Sequence, residues 1–302
     1  INADGTLPDR TADCVLGQAD LASTAAATTS TGLGGPAGLA YDQTNQRLFV
    51  ADRSNNRTLV FDMAACTTGE AATNVLGQAG FTTLTSATTS TGQSSPRGVF
   101  YDSTNNRLFV AEASNRRVVA YDVAAITNGE AATNVLGQAD FTSNTLATTQ
   151  SGMNSPTDVA LVGALLFVAD REDHRVLVFD VGTLTNGENA VNVLGQADFT
   201  SRTGSRTQSG FQSPLGLTVE STGSERLFVA DRGNNRVLGF DISGATPVTN
   251  NENAVTVLGQ ADYTSNTATL NNTGILTPLD VAYDITNRRL WVVDGGSFAW
   301  IY

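Results

Sequence analysis

Acid–arginine pairs recur along this chain at a fixed spacing. Asp52 and Arg57, Glu112 and Arg117, Asp170 and Arg175, and Asp231 and Arg236 each stand five residues apart, and Asp294 holds the acidic place again without an arginine. A ring of carboxylates is chemistry suited to a metal or a polar substrate. A catalytic group is needed once per site, however, and this pair returns in four of the five repeats. A hairpin ion pair, copied because its hairpin is copied, accounts for it better.

Residues that break the repeat are the better candidates. Gly38, Gly98 and Gly216 share a register position with Asp158 and Asp280, two residues after the proline that opens each repeat, and Arg97 precedes Gly98. Two carboxylates with an arginine nearby have the donor types for a cation such as Ca2+ or for a small polar ligand. Hydrated polar residues are the plainer reading. His174 is the only histidine, in the turn Arg171-Glu-Asp-His, and no Gly-x-Ser-x-Gly elbow accompanies it. No catalytic residue is assigned.

Cys14 and Cys66 are the only cysteines. A disulfide, two reduced thiols and a bond between subunits all remain open. Asn56-Arg-Thr58 and Asn271-Asn-Thr273 fit the N-glycosylation sequon, a match expected by chance in a chain so rich in Asn and Thr.

The elements that position these residues follow from a phrase. Val-Leu-Gly-Gln-Ala-Asp at Val15–Asp20 returns almost unchanged at Val75–Gly80, Val135–Asp140, Val193–Asp198 and Val257–Asp262, with starts 60, 60, 58 and 64 residues apart. Each repeat holds four strand-like runs, in the first copy Gly38–Asp42, Arg47–Asp52, Thr58–Asp62 and Asn74–Ala79. Leu48–Ala51 is apolar without alternation, the pattern of a strand covered on both faces. The fold expected is all-β, a five-bladed propeller with four antiparallel strands per blade. It forms a single domain over residues 1–302, with blades at about 36–80, 96–140, 156–198, 214–262 and 278–302. Cys14–Asp20 is expected to complete the last blade and close the ring. Five Thr/Ser-rich segments of equal length, Leu21–Gly32, Phe81–Gly92, Phe141–Gly152, Phe199–Gly210 and Tyr263–Gly274, are expected to be ordered crossings between blades.

Composition excludes some functions. The net charge is −12 and the chain has no lysine, so no basic stripe is present to bind nucleic acid or an anionic membrane. No apolar run reaches membrane-spanning length. A polar, Thr- and Ser-rich surface suits a secreted or cell-surface protein with its signal peptide removed.

Pro214-Leu-Gly-Leu leading to Arg226-Leu-Phe-Val-Ala-Asp-Arg-Gly-Asn-Asn-Arg-Val-Leu-Gly-Phe-Asp241 resembles the NHL repeat. The same pattern stands at Pro36–Asp62, Pro96–Asp122, Pro156–Asp180 and, degraded, at Pro278–Tyr302. The resemblance implies a propeller, though NHL propellers usually have six blades, and it leaves activity open. Members include a peptide-amidating lyase, RNA-binding modules and bacterial extracellular proteins. A lyase of that kind needs several imidazoles, and this chain has one.

The expected function is a non-enzymatic, cofactor-free scaffold that binds other protein chains or copies of itself in a filament or layer. A multivalent, lectin-like glycan binder is the second reading, and a metal-dependent lyase or hydrolase at the channel mouth is the third.

Overall fold

The computed structural model describes residues 12–302, apart from 224, 245–247, 269, 270, 272 and 297. The protein is a five-bladed β-propeller. Blade one comprises β1 (Pro36–Asp42), β2 (Arg47–Asp52), β3 (Arg57–Asp62) and β4 (Asn74–Leu76). Blade two comprises β5 (Pro96–Asp102), β6 (Arg107–Glu112), β7 (Arg117–Asp122) and β8 (Asn134–Leu136). Blade three follows with β9 (Pro156–Val162), β10 (Leu165–Asp170), β11 (Arg175–Asp180) and β12 (Asn192–Leu194). Blade four contains β13 (Pro214–Glu220), β14 (Arg226–Asp231), β15 (Arg236–Asp241) and β16 (Thr256–Leu258). Blade five has β17 (Pro278–Asp284), β18 (Arg289–Asp294) and β19 (Phe298–Ile301). Each sheet is an antiparallel meander running from the innermost strand outward. No helix among the described residues is long and apolar enough to cross a membrane.

The second strand is buried on both faces, as its unbroken apolar run requires. Phe109 and Ala111 pack in the cluster between blades two and three, while Leu108 and Val110 pack in the cluster between blades one and two. Burial of such side chains stabilises by roughly 1.5–3 kcal/mol each, so the blade interfaces hold the ring together.

The outer strands are shorter than the sequence suggests, three residues rather than six. In the recurrent phrase Val and Leu form the strand, and glycine then ends it with a left-handed backbone, φ +80° at Gly77 and +87° at Gly137. The glutamine turns back: Gln138 Nε2 donates to the carbonyls of Arg116 and Thr145. The aspartate caps the following turn, with Asp140 Oδ1 accepting the amides of Thr142 and Ser143 at 2.8 Å each. These bonds pin the starts of the twelve-residue segments, as Gln78 Nε2 to Thr85 O and Gln196 Nε2 to Thr203 O repeat.

Blade five shows three hydrogen-bonded strands. Residues 14–20 are not a paired strand, but they take the place of an outer strand against blade one. Gly69 N donates to Val15 O at 3.0 Å, just as Gly129 N donates to Val75 O at 2.9 Å. Leu16 packs on the blade-one core. The seam between blades five and one also differs from the rest. The inner strands pack β1 on β5, β5 on β9, β9 on β13 and β13 on β17, with no comparable packing of β17 on β1 among the described residues. Leu39 is 62% exposed, whereas Val99, Val159, Leu217 and Val281 at the same position of the other blades are 6%, 3%, 5% and 5% exposed.

Candidate functional site

The acid–arginine pairs are buried structural ties. Arg57 Nε donates to Asp52 at 2.9 Å, Arg117 to Glu112 at 3.2 Å, Arg175 to Asp170 at 3.0 Å and Arg236 to Asp231 at 2.8 Å, with both side chains fully buried in each pair. The rest of each guanidinium serves the crossings. Arg117 donates to the carbonyls of Thr89 and Gly92 in the segment before blade two, and of Phe141 in the segment after it. Asn115 completes the set by donating to Glu112. Each arginine thus staples two successive crossings to one blade, which explains a copy in each of blades one to four. Burial raises the Glu112 carboxyl to about 7 and the Asp231 carboxyl to about 6, against the lowering effect of their arginines. In blade five Asp294 accepts instead from Trp300 Nε1 at 3.1 Å and Leu276 N at 2.8 Å.

His174 holds a structural place as well. It adopts φ +52°, is half-buried, and its Nδ1 accepts Ser213 N at 3.0 Å. The aromatic residues Phe81, Phe141, Phe199 and Tyr263, which open four of the crossings, are partly buried against the blade cores. Cys14 and Cys66 are joined as a disulfide between the N-terminal segment and blade one. Asn56 has both ends of its amide engaged, Nδ2 donating to Leu84 O and Oδ1 accepting Ser95 N, each at 2.9 Å. Asn271 is exposed, and its Oδ1 accepts both the amide and the hydroxyl of Thr273 at 2.9 Å.

Arg97, Asp158 and Asp280 come together. They line a cavity of about 270 Å3 at the end of the channel where the inner strands begin, with Gly38, Gly98 and Gly216 between them. The glycines are required there. A Cβ on Gly98 would collide with Asp158 Oδ1, and a Cβ on Gly216 with Asp280 Oδ1. Asp158 Oδ2 accepts Leu217 N from the next blade at 2.7 Å. Burial, and then the charge of Asp280, pushes the Asp158 carboxyl well above its ordinary range; burial also raises Asp280.

Arg97 is half-buried, and its Nε lies buried without a hydrogen-bond partner. Burial and the nearby charges of Arg53 and Arg171 lower its pKa. Arg53 and Arg171 follow Asp52 and Asp170, so this mouth carries an arginine rim that sequence reading did not assemble. The Ala-Asp-Arg phrase shared by blades one, three and four was the available signal. Among the described residues no group of three or more His, Cys, Asp or Glu is placed to hold a metal ion. Asp158 and Asp280 are two carboxylates, whereas Ca2+ takes about six to eight oxygens.

No protein-family model matches the chain, and no curated protein matches it significantly.

Proposed function

We propose that the protein is a non-enzymatic scaffold that associates with further copies of itself through the open seam between blades five and one. The observation that carries this reading is the uncovered pair of faces at that seam. Leu39 and Tyr41 are exposed on blade one; Val293, Ala299 and Ile301 are exposed on blade five. At the neighbouring seam the corresponding Ala230 and Val237 of blade four bury Val281 of blade five. A second copy therefore carries the very surface that Leu39 and Tyr41 lack.

Two arrangements follow from such a heterologous contact. Reciprocal engagement of two seams gives a closed dimer, and one-way engagement gives a filament. The edge of β19, which pairs with no outer strand among the described residues, adds an open sheet edge to the same surface. A net charge of −12 opposes close approach, so association should strengthen with salt. The Cys14–Cys66 bond supports placement outside the cell or at its surface. The sequence resemblance to NHL propellers is compatible with this role and specifies no activity.

Light scattering and negative-stain microscopy over a concentration series test the reading. Dimers or filaments are expected to grow with protein and salt concentration, and Leu39→Glu with Tyr41→Glu is expected to abolish them. A monomer of 31.5 kDa at every concentration would overturn it.

A further inference from the structure

One cavity in the channel is lined by both acidic and basic side chains that form no ion pair with each other among the described residues. Arg97 stands at its rim, and Asp158 and Asp280 line it as well. None of the three takes part in an ion pair among the described residues, although buried or half-buried arginines elsewhere in the fold do so repeatedly. The arrangement is built rather than incidental. Each aspartate has a glycine facing it on the neighbouring inner strand, where any side chain would collide with the carboxylate. Leu217 N and Val281 N orient the two carboxylates at 2.7 and 2.8 Å. The Arg97 Nε is buried with no acceptor among the described residues, and Arg53 and Arg171 are close enough to act on it.

A site of this kind is incomplete without a partner for both charges. An anion alone would meet the arginine rim and be repelled by the carboxylates, and a cation alone would meet the reverse. From these features we propose that the cavity binds a small zwitterion, its carboxylate against Arg97 and its ammonium against Asp158 and Asp280. The volume of about 270 Å3 sets the size. It falls below the range of about 300–1,000 Å3 typical of sites for drug-sized ligands, so the ligand is of amino-acid size. Inner strands of all five blades contribute lining residues, which leaves room for a single ligand per ring. The inference is independent of self-association, since the residues that carry it lie on blades two, three and five of one chain.

Calorimetric titration at constant ionic strength tests it. The probes are glycine, β-alanine and 4-aminobutyrate, three zwitterions of increasing charge separation, with acetate and ethylammonium as single-charge controls. At least one zwitterion is expected to bind, and both controls to bind about tenfold or more weakly, as the loss of one charge-assisted contact implies. Arg97→Gln and Asp158→Asn are each expected to weaken the zwitterion by a similar factor while leaving the melting temperature within a few degrees. Acetate binding as tightly as the zwitterions would reduce the site to an anion site and overturn the proposal. So would the absence of binding by all three zwitterions at millimolar concentration, or unchanged affinity in both folded variants.

Discussion

His174 Nδ1 accepts the backbone N–H of Ser213 at 3.0 Å, and this bond reproduces with an imidazole what asparagine does in other blades. Asn56 Oδ1 accepts Ser95 N, and Asn235 Oδ1 accepts Thr277 N, each at 2.9 Å. All three residues hold the same left-handed turn, at φ +52°, +51° and +53°. The only histidine is thus a neutral acceptor between two blades.

The protonation sign follows from that role. Burial depresses the folded His174 pKa below its ordinary 6.5, so the unfolded chain binds the proton more readily. The stability His174 contributes is present above about 6.5 and is lost as pH falls through the lower folded value. Wild type is expected to lose more melting temperature than His174→Asn between pH 7.5 and 5.5. Parallel pH profiles for the two proteins would refute this.

Glu112 titrates with the opposite sign. Burial raises its carboxyl to about 7 from 4.5 despite Arg117, so its contribution is present below about 4.5 and lost as pH rises through about 7. Glu112→Gln is expected to flatten that part of the stability profile. Removing Arg117 as Arg117→Met, by contrast, strands a buried carboxylate and should cost about 3–5 kcal/mol in urea unfolding.

Much of the fold was legible because repetition supplies what single positions lack. Five copies of Val-Leu-Gly-Gln-Ala, four of them followed by Asp, and five unbroken apolar second strands set the blade count and the order of strands. The short outer strand was not legible, because Gly77 and its equivalents end it by backbone conformation, which a hydrophobic pattern does not encode. The grouping of Arg97 with Asp158 and Asp280 was visible as breaks in the repeat. Arg53 and Arg171 were masked by being part of it. The open seam was invisible as well: Leu39 reads like Val99, and only the missing cover distinguishes them.

Two glycines of the same phrase separate conformation from space. Gly137 sits at φ +87°, and a Cβ there would approach Arg116 O and Met153 Sδ at 2.9 Å each. Gly137→Ala is expected to destabilise by more than about 1 kcal/mol. Gly80 has nothing within 4 Å of its Cβ position, and the other copies carry aspartate there. Gly80→Asp is expected to be neutral or stabilising by thermal melting.

The two sequons should behave differently in a host that attaches N-linked sugar. Asn56 is half-buried with its amide nitrogen donating to Leu84 O, whereas Asn271 is exposed. Mass spectrometry of glycopeptides is expected to find any glycan on Asn271 and none on Asn56. Occupied Asn56 would mean that the turn opens before or after folding.

Disulfide loss tests how the N-terminal segment is held. Besides the Cys14–Cys66 bond, the segment has the Gly69–Val15 hydrogen bond, and Leu16 covers part of the blade-one core. The bond spans 52 residues, a loop for which chain entropy gives about 4 kcal/mol. Cys14→Ser with Cys66→Ser is expected to release the segment and uncover the blade-one cluster that includes Leu33 and Leu59. Proteolysis is then expected to cut between Cys14 and Gly32 at protease levels that leave wild type intact, with blades two to four resistant in both. Equal resistance of the segment in the two proteins would show that Leu16 and its backbone contact hold it without the bond.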